Sequence, residues 1–200
     1  MSELTDDNRE LAPLNIIRNE TAVSRYPLHK LSKSTENFTI EITRMNELGE
    51  VSFKWDVSYN NKYGQPGPLA YKIDTLVINR RIEESERPVP KNIRLGSLRE
   101  IASELGLGGD TSLVKKALYQ NASAFITAKI RYVTKEKRER TAEFGKTRYG
   151  VLFAGEELAD GTTADAVYIE LNDWYRDIIN TAKTRPLDYD YLRELPPTAQ

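Results

Sequence analysis

Apolar residues recur at period two in two neighbouring stretches. Phe38, Ile40 and Ile42 alternate with Thr39, Glu41 and Thr43, and after Gly49 the pattern resumes at Val51, Phe53, Trp55 and Val57. Such alternation marks strands with one buried face, so the two runs predict a β-hairpin with its loop around 46–50. The turn formers of 60–68 (NNKYGQPGP) close it. Pro68 suits the first turn of a helix. Leu69, Ile73, Leu76, Val77 and Ile82 then follow at helical spacing, predicting a helix over 68–84.

Further on, Ile93 and Leu95 suit a short strand. Ser97 and Glu100 have the spacing of a capping box, opening a helix that carries Leu98, Ile101, Ala102 and Leu105 and stops at Gly106. A turn over 107–110 leads to a second helix, capped by Asp110 or Thr111 and running to about Ala124. Strands are expected at 125–133, 150–153 and 167–171. Asn172 is expected to cap a helix to about Thr181, and 185–195 reads as one more short helical segment. Trp55 and Trp174 lie in apolar periodic segments and are expected to be at least partly buried.

Two short helices joined by a glycine-containing turn form a helix-turn-helix candidate. A β-hairpin after the second helix extends this to a winged-helix pattern, with 125–133 and 150–153 as the strands and the charged stretch between them as the wing. The fold class predicted is therefore α+β: a winged helix-turn-helix with an N-terminal β-hairpin extension. At about 100° per residue, Leu113, Val114, Ala117, Leu118, Ala124 and Phe125 share one side of the second helix. Ser112, Lys115, Lys116, Tyr119, Gln120 and Ser123 share the other, and these are groups that reach phosphates and base edges in a major groove. The wheel gives no role to Asn121, which falls among the apolar residues. An ordinary amphipathic surface helix has the same wheel.

Charge separates these readings. The formal net charge of the 200-residue chain is −1, but the charges are segregated. Residues 110–150 carry ten basic side chains against four acidic ones, and 155–200 carry ten acidic against four basic. The basic segment spans the candidate recognition helix and the candidate wing residues Lys135, Lys137, Arg138, Arg140, Lys146 and Arg148. Attraction to the phosphates of double-stranded DNA requires such clustering. A solvated charged hairpin is the alternative.

Other chemistry finds little in the chain. There is no cysteine, which excludes disulfides and thiolate metal sites and fits a cytoplasmic protein. A single histidine, His29, cannot form a two-histidine metal site, and its place beside Pro27 suggests a surface or capping role. Asp188 and Asp190 suit a capped helix start better than a hard-cation site. Tyr119 has no neighbour in sequence that would activate it as a nucleophile. No glycine-rich phosphate loop occurs, so no cofactor and no enzymatic role are expected. No apolar run approaches the roughly 20 residues of a membrane span, and the polar start of the chain is no signal peptide.

In order along the chain, 19–31 (NETAVSRYPLHKL), 55–64 (WDVSYNNKYG), the helix-turn-helix of 97–125, and 167–200 with VYIELNDWY and RPLDYDYLRELPPTAQ resemble the plasmid replication initiator protein A family. The insertion QPGP after Gly64 departs from that pattern. The resemblance implies one winged-helix domain over 19–200; the segment before it, 1–18, reads as unstructured because its charged start carries almost nothing to bury. It implies sequence-specific binding of plasmid origin repeats, recruitment of host replication proteins, a homodimer and repression of the initiator's own promoter. It further implies a continuation beyond Gln200 into a second DNA-binding domain that is absent here, so apolar groups near the end, Leu192 and Leu195, are expected to be exposed. A winged-helix repressor without a replication role, or a protein-interaction module using the charged wing, fits the same residues.

Overall fold

The computed structural model describes residues 15–32, 39–154, 161 and 165–195. It is a mixed α+β structure with three antiparallel sheets. β1 (Ile16–Glu20) pairs with β9 (Thr184–Asp188), joining the two ends of the described chain in a ribbon. The sequence reading left 1–18 unstructured; 1–14 lie outside the described residues, and 16–18 belong to β1 because Ile17 is buried against Leu76, Tyr189 and Leu192.

β2 (Ile40–Met45) and β3 (Val51–Ser58) form the hairpin predicted from alternation; Phe38 lies outside the described residues. Its loop is fastened by Asn46, whose side-chain oxygen accepts from the backbone N–H of Leu48 and Glu50 at 3.0 and 2.9 Å. The hairpin is not a separate extension. β3 pairs with β5 (Phe125–Val133) and β5 with β6 (Glu139–Lys146), giving one four-stranded sheet ordered β2-β3-β5-β6. The expected pairing of 125–133 with 150–153 is thus corrected: the partner of β5 is the charged stretch itself. β7 (Tyr149–Leu152) instead pairs with β8 (Val167–Leu171), and β8 with β4 (Asn92–Gly96), making a three-stranded sheet ordered β4-β8-β7.

The helix over 68–84 is present in three consecutive parts: α1 (Pro68–Lys72) with Pro68 in its first turn, a π-helical stretch Ile73–Ile78, and α2 (Asn79–Glu84). All six residues of the π stretch are buried, including the polar Asp74 and Thr75. π-helical turns are uncommon and cluster where a helix must place an unusual side chain; here the wider turn holds Asp74 inside.

α3 (Leu98–Glu104) opens with the predicted capping box. The Ser97 side chain accepts from the Glu100 N–H, and the Glu100 carboxylate accepts from the Ser97 N–H. Gly106 follows in the left-handed region at φ 69°, where a glycine avoids the Cβ penalty at a helix C-terminus. α4 (Thr111–Ala122) is capped by Asp110, which accepts from the N–H groups of Ser112 and Leu113. α5 (Asp173–Thr181) follows β8, but Asn172 spends its side chain on Thr147 rather than on capping. The 185–195 stretch is part strand and part helix: β9, then α6 (Tyr189–Glu194), whose start is capped by Asp188.

One core cluster joins both larger sheets and the helices, with Trp55, Ile73, Leu95, Ile101, Leu118, Ile126 and Ile169 inside. Trp55 is fully buried, its indole N–H donating to the Pro27 carbonyl at 2.8 Å. Trp174 is half-buried and stacked on Phe144, centroids 3.9 Å apart. Leu192, expected at the surface, is buried in the small cluster under the β1–β9 ribbon, and Leu195 is half-buried. No helix among the described residues is long and apolar enough to cross a membrane.

Candidate nucleic-acid interface

α4 buries Val114, Ala117, Leu118 and Asn121 and turns its other side outward. Asn121, unexplained by the wheel, is inward for a reason: its amide N–H donates to the Ala70 carbonyl at 2.8 Å and its oxygen lies 3.0 Å from His29 Nε2. It ties α4 to α1 through a backbone acceptor in the core. Leu113, assigned to the apolar face, is 45% exposed, because it sits in the first turn beyond the reach of the core.

The six polar-face candidates divide in two. Ser112, Lys115 and Lys116 are exposed. Lys115 Nζ lies 4.7 Å over the Phe153 ring. Tyr119, Gln120 and Ser123 are half-buried and engaged inside the protein. Tyr119 stacks on Tyr63 at 4.6 Å with an interplanar angle of 11°, and its centroid is 5.3 Å from that of Phe153. The Gln120 amide donates to the Tyr63 carbonyl at 3.0 Å, and the Ser123 hydroxyl donates to the Gln120 carbonyl at 3.3 Å. A ladder Tyr63–Tyr119–Phe153 thus braces α4 against the 60–68 loop and the end of β7. Tyr63 stood in a noted turn motif, but nothing local in the sequence signalled its partner 56 positions on.

The candidate wing residues also divide. Lys135, Lys137 and Arg138 are exposed at the β5–β6 turn. Thr134 organises that turn: its N–H donates to the Arg138 carbonyl at 2.9 Å and its hydroxyl accepts from the Arg138 N–H at 3.2 Å. Lys137 takes a left-handed φ of 62° there. Lys135 Nζ donates to the Asn180 carbonyl at 2.8 Å, and Arg140 pairs with Asp177 at 3.6 Å, both contacts to α5. Lys146 is exposed at the far end of β6.

Arg148 is a correction. Read from sequence as a phosphate contact, it is an interior group whose side chain is 11% exposed, paired with Asp74. Tyr149 donates to the same carboxylate at 2.6 Å, and His29 Nε2 lies 3.2 Å from it. Both acceptors around Nε2, the Asn121 oxygen and the Asp74 carboxylate, require that this nitrogen carry the proton. His29, expected at the surface, is therefore part of the interior network. Burial by itself would raise the Asp74 pKa. The Arg148 guanidinium, with His29 and Tyr149, outweighs it and holds the carboxyl well below its ordinary range. Burial pushes the Tyr149 hydroxyl far up. Glu20 is buried nearby and accepts from the N–H groups of Ala22, Val23 and Ser24; desolvation nonetheless leaves its pKa raised.

No family model matches the chain, and no curated protein matches it. Among solved structures, the crystal structure of domain 2 and domain 3 of RctB is similar to it at 12% sequence identity and a TM-score of 0.43. The similarity covers 84% of this chain and 60% of that one, so the chain spans less than two thirds of that structure's length.

Proposed function

We propose that the chain is a non-catalytic, duplex-DNA-binding domain of a plasmid replication initiator, with α4 as its recognition helix. The observation that carries this reading is the exposed trio Ser112, Lys115 and Lys116 on the second helix of a helix–turn–helix unit, with neither lysine in an ion pair among the described residues. The connectivity supports a winged helix: a helix, then β4, then α3 and α4, with β7 and β8 completing a three-stranded sheet on β4. In that reading β5–β6 is an additional hairpin joined to β2–β3. The initiator role is supported by the sequence stretches at 19–31, 55–64 and 167–200. Against catalysis, the one histidine is spent on Asn121 and Asp74.

A mobility-shift titration on the DNA flanking the chain's own gene tests this, followed by footprinting. Protection of iterated repeats is expected. Lys115→Ala with Lys116→Ala should lower the slope of log K against log salt by about 1.8, at roughly 0.9 per phosphate contact. An unchanged slope removes α4 from the interface.

A further inference from the structure

Some basic side chains on this surface have an acidic partner. Arg18 and Arg87 share Glu83; Arg80 and Arg81 share Glu84 and Glu104; Lys91 pairs with Glu170, and Arg94 with Asp165. Among those with none, one group is gathered in a single region. Arg25, Lys135, Lys137, Arg138, Lys183 and Arg185 are all exposed, and none has an ion-pair partner among the described residues. They come from three distant parts of the chain, and the backbone brings them together. The Lys183 N–H donates to the Val133 carbonyl at 3.0 Å and the Lys135 N–H to the Thr181 carbonyl at 2.9 Å, seating the β5–β6 turn on the start of β9. Arg185 is in register with Asn19 across the ribbon, and the Thr21 N–H donates to the Lys183 carbonyl at 2.9 Å. Arg25 crosses to β5, donating to the Arg131 carbonyl at 2.9 Å, and lines with Arg185 a cleft of about 390 Å³. Nearby, Glu136 and Glu139 are exposed in and beside the turn, while Asp177 is engaged by Arg140 and Glu20 is buried.

This cluster is not an extension of the α4 surface. β5 begins just past the end of α4 and runs nine residues to the turn. At about 3.3 Å per residue its two ends are ~26 Å apart, about eight base pairs along a duplex at roughly 3.4 Å each. A single groove contact by α4 does not cover that span.

We infer that the chain has a second phosphate-binding face, formed by the β5–β6 turn, the β1–β9 ribbon and Arg25, which takes the sugar-phosphate backbone of duplex DNA away from α4. Six cations against the exposed carboxylates of Glu136 and Glu139 leave a net positive face whose charges repel one another, and a polyanion relieves that repulsion over the whole face at once. Lysine and arginine on flexible stems, with no enclosed polar pocket around them, position a backbone without reading bases. The inference rests on the reading of the chain as a duplex-DNA binder, and it does not depend on α4 being the recognition helix.

The test is fluorescence anisotropy on a random duplex of about 40 base pairs across a salt series, with polyglutamate as a second probe. The combined variant Lys137→Asn, Arg138→Gln, Lys183→Gln, Arg185→Gln removes four charges; asparagine tolerates the left-handed backbone at 137. Its expected effect is a fall of about 3.6 in the salt slope, additive with that of Lys115→Ala, Lys116→Ala. Circular dichroism should show the same thermal midpoint as the unaltered chain. An unchanged slope in the four-charge variant overturns the second face and leaves the α4 reading standing. An unchanged slope in the α4 variant alone does the opposite. Polyglutamate bound more tightly than duplex, and lost in the four-charge variant, overturns the inference in favour of an acidic polypeptide partner.

Discussion

Arg148 and Asp74, 74 positions apart, form an ion pair in the interior, with the Tyr149 hydroxyl on the second carboxylate oxygen. The pair joins the π-helical stretch to the start of β7, and so couples the first helix to the three-stranded sheet beneath α4. Removing one member leaves the other buried without its counter-charge. Asp74→Asn should cost about 3–5 kcal/mol, read as a lowered midpoint in urea.

The same pair sets an acid limit. Asp74 has a folded pKa below its ordinary value of 3.8, so its contribution is complete above that value and is lost as pH falls below it. Glu20 has the opposite sign. Its folded pKa lies above 4.5, so its protonated form is favoured in the fold and stability declines as pH rises through the raised value. Thermal midpoints across acidic pH should show Asp74→Asn flattening the limb below 3.8 and Glu20→Gln flattening the limb above 4.5. A single variant that flattened both would show the assignment to be wrong.

Tyr119 should behave as a packing residue. From sequence it belonged with the base-reading groups; in the structure its ring lies on Tyr63 and beside Phe153. Tyr119→Ala and Tyr63→Ala should each destabilise, and the double-mutant cycle should return a coupling of about 0.5–1.5 kcal/mol. Additive effects would show that the stack contributes nothing.

Asn121→Ala leaves the Ala70 carbonyl and the His29 N–H short of a partner in the core. A loss of about 1–3 kcal/mol is expected. Asn121→Asp keeps an acceptor for His29 but sets a buried carboxylate against the Ala70 carbonyl, and should cost at least as much. Chemical denaturation measures both.

Ser97→Ala should cost about 1 kcal/mol. Glu100→Gln, which keeps an acceptor for the Ser97 N–H, should cost less. Equal thermal midpoints for Ser97→Ala and the unaltered chain would show that the reciprocal cap has no energetic weight.

What could be read from the sequence was local. The β2–β3 hairpin announces itself by alternation, the first helix by spacing after Pro68, and α3 by Ser97 and Glu100. Each depends on residues a few positions apart. β6 was read as a charged loop because an edge strand with Glu139, Arg140, Glu143 and Lys146 has little apolar periodicity to show. Its pairing, and that of β7 with β8, is a matter of tertiary register. Arg148 illustrates the same limit at the site: in a basic segment it counted as one more cation, and only its meeting with Asp74 reveals an interior role. The π-helical stretch has no compositional sign at all. On α4, amphipathic spacing separated inside from outside for Ser112, Lys115 and Lys116, but could not show which outward residues another loop would cover.

The four-stranded sheet ends in β2 on one side and β6 on the other, each with backbone groups along its outer edge that no strand among the described residues takes up. Bare edges of this kind are templates on which further copies can add strands. Here Glu41 and Arg44 stand on β2, and charged residues of both signs recur along β6. Charged side chains along a rim strand disfavour its pairing with another copy. The residues that conceal β6 from a reader of the sequence are thus the ones that work against edge-to-edge growth of the sheet.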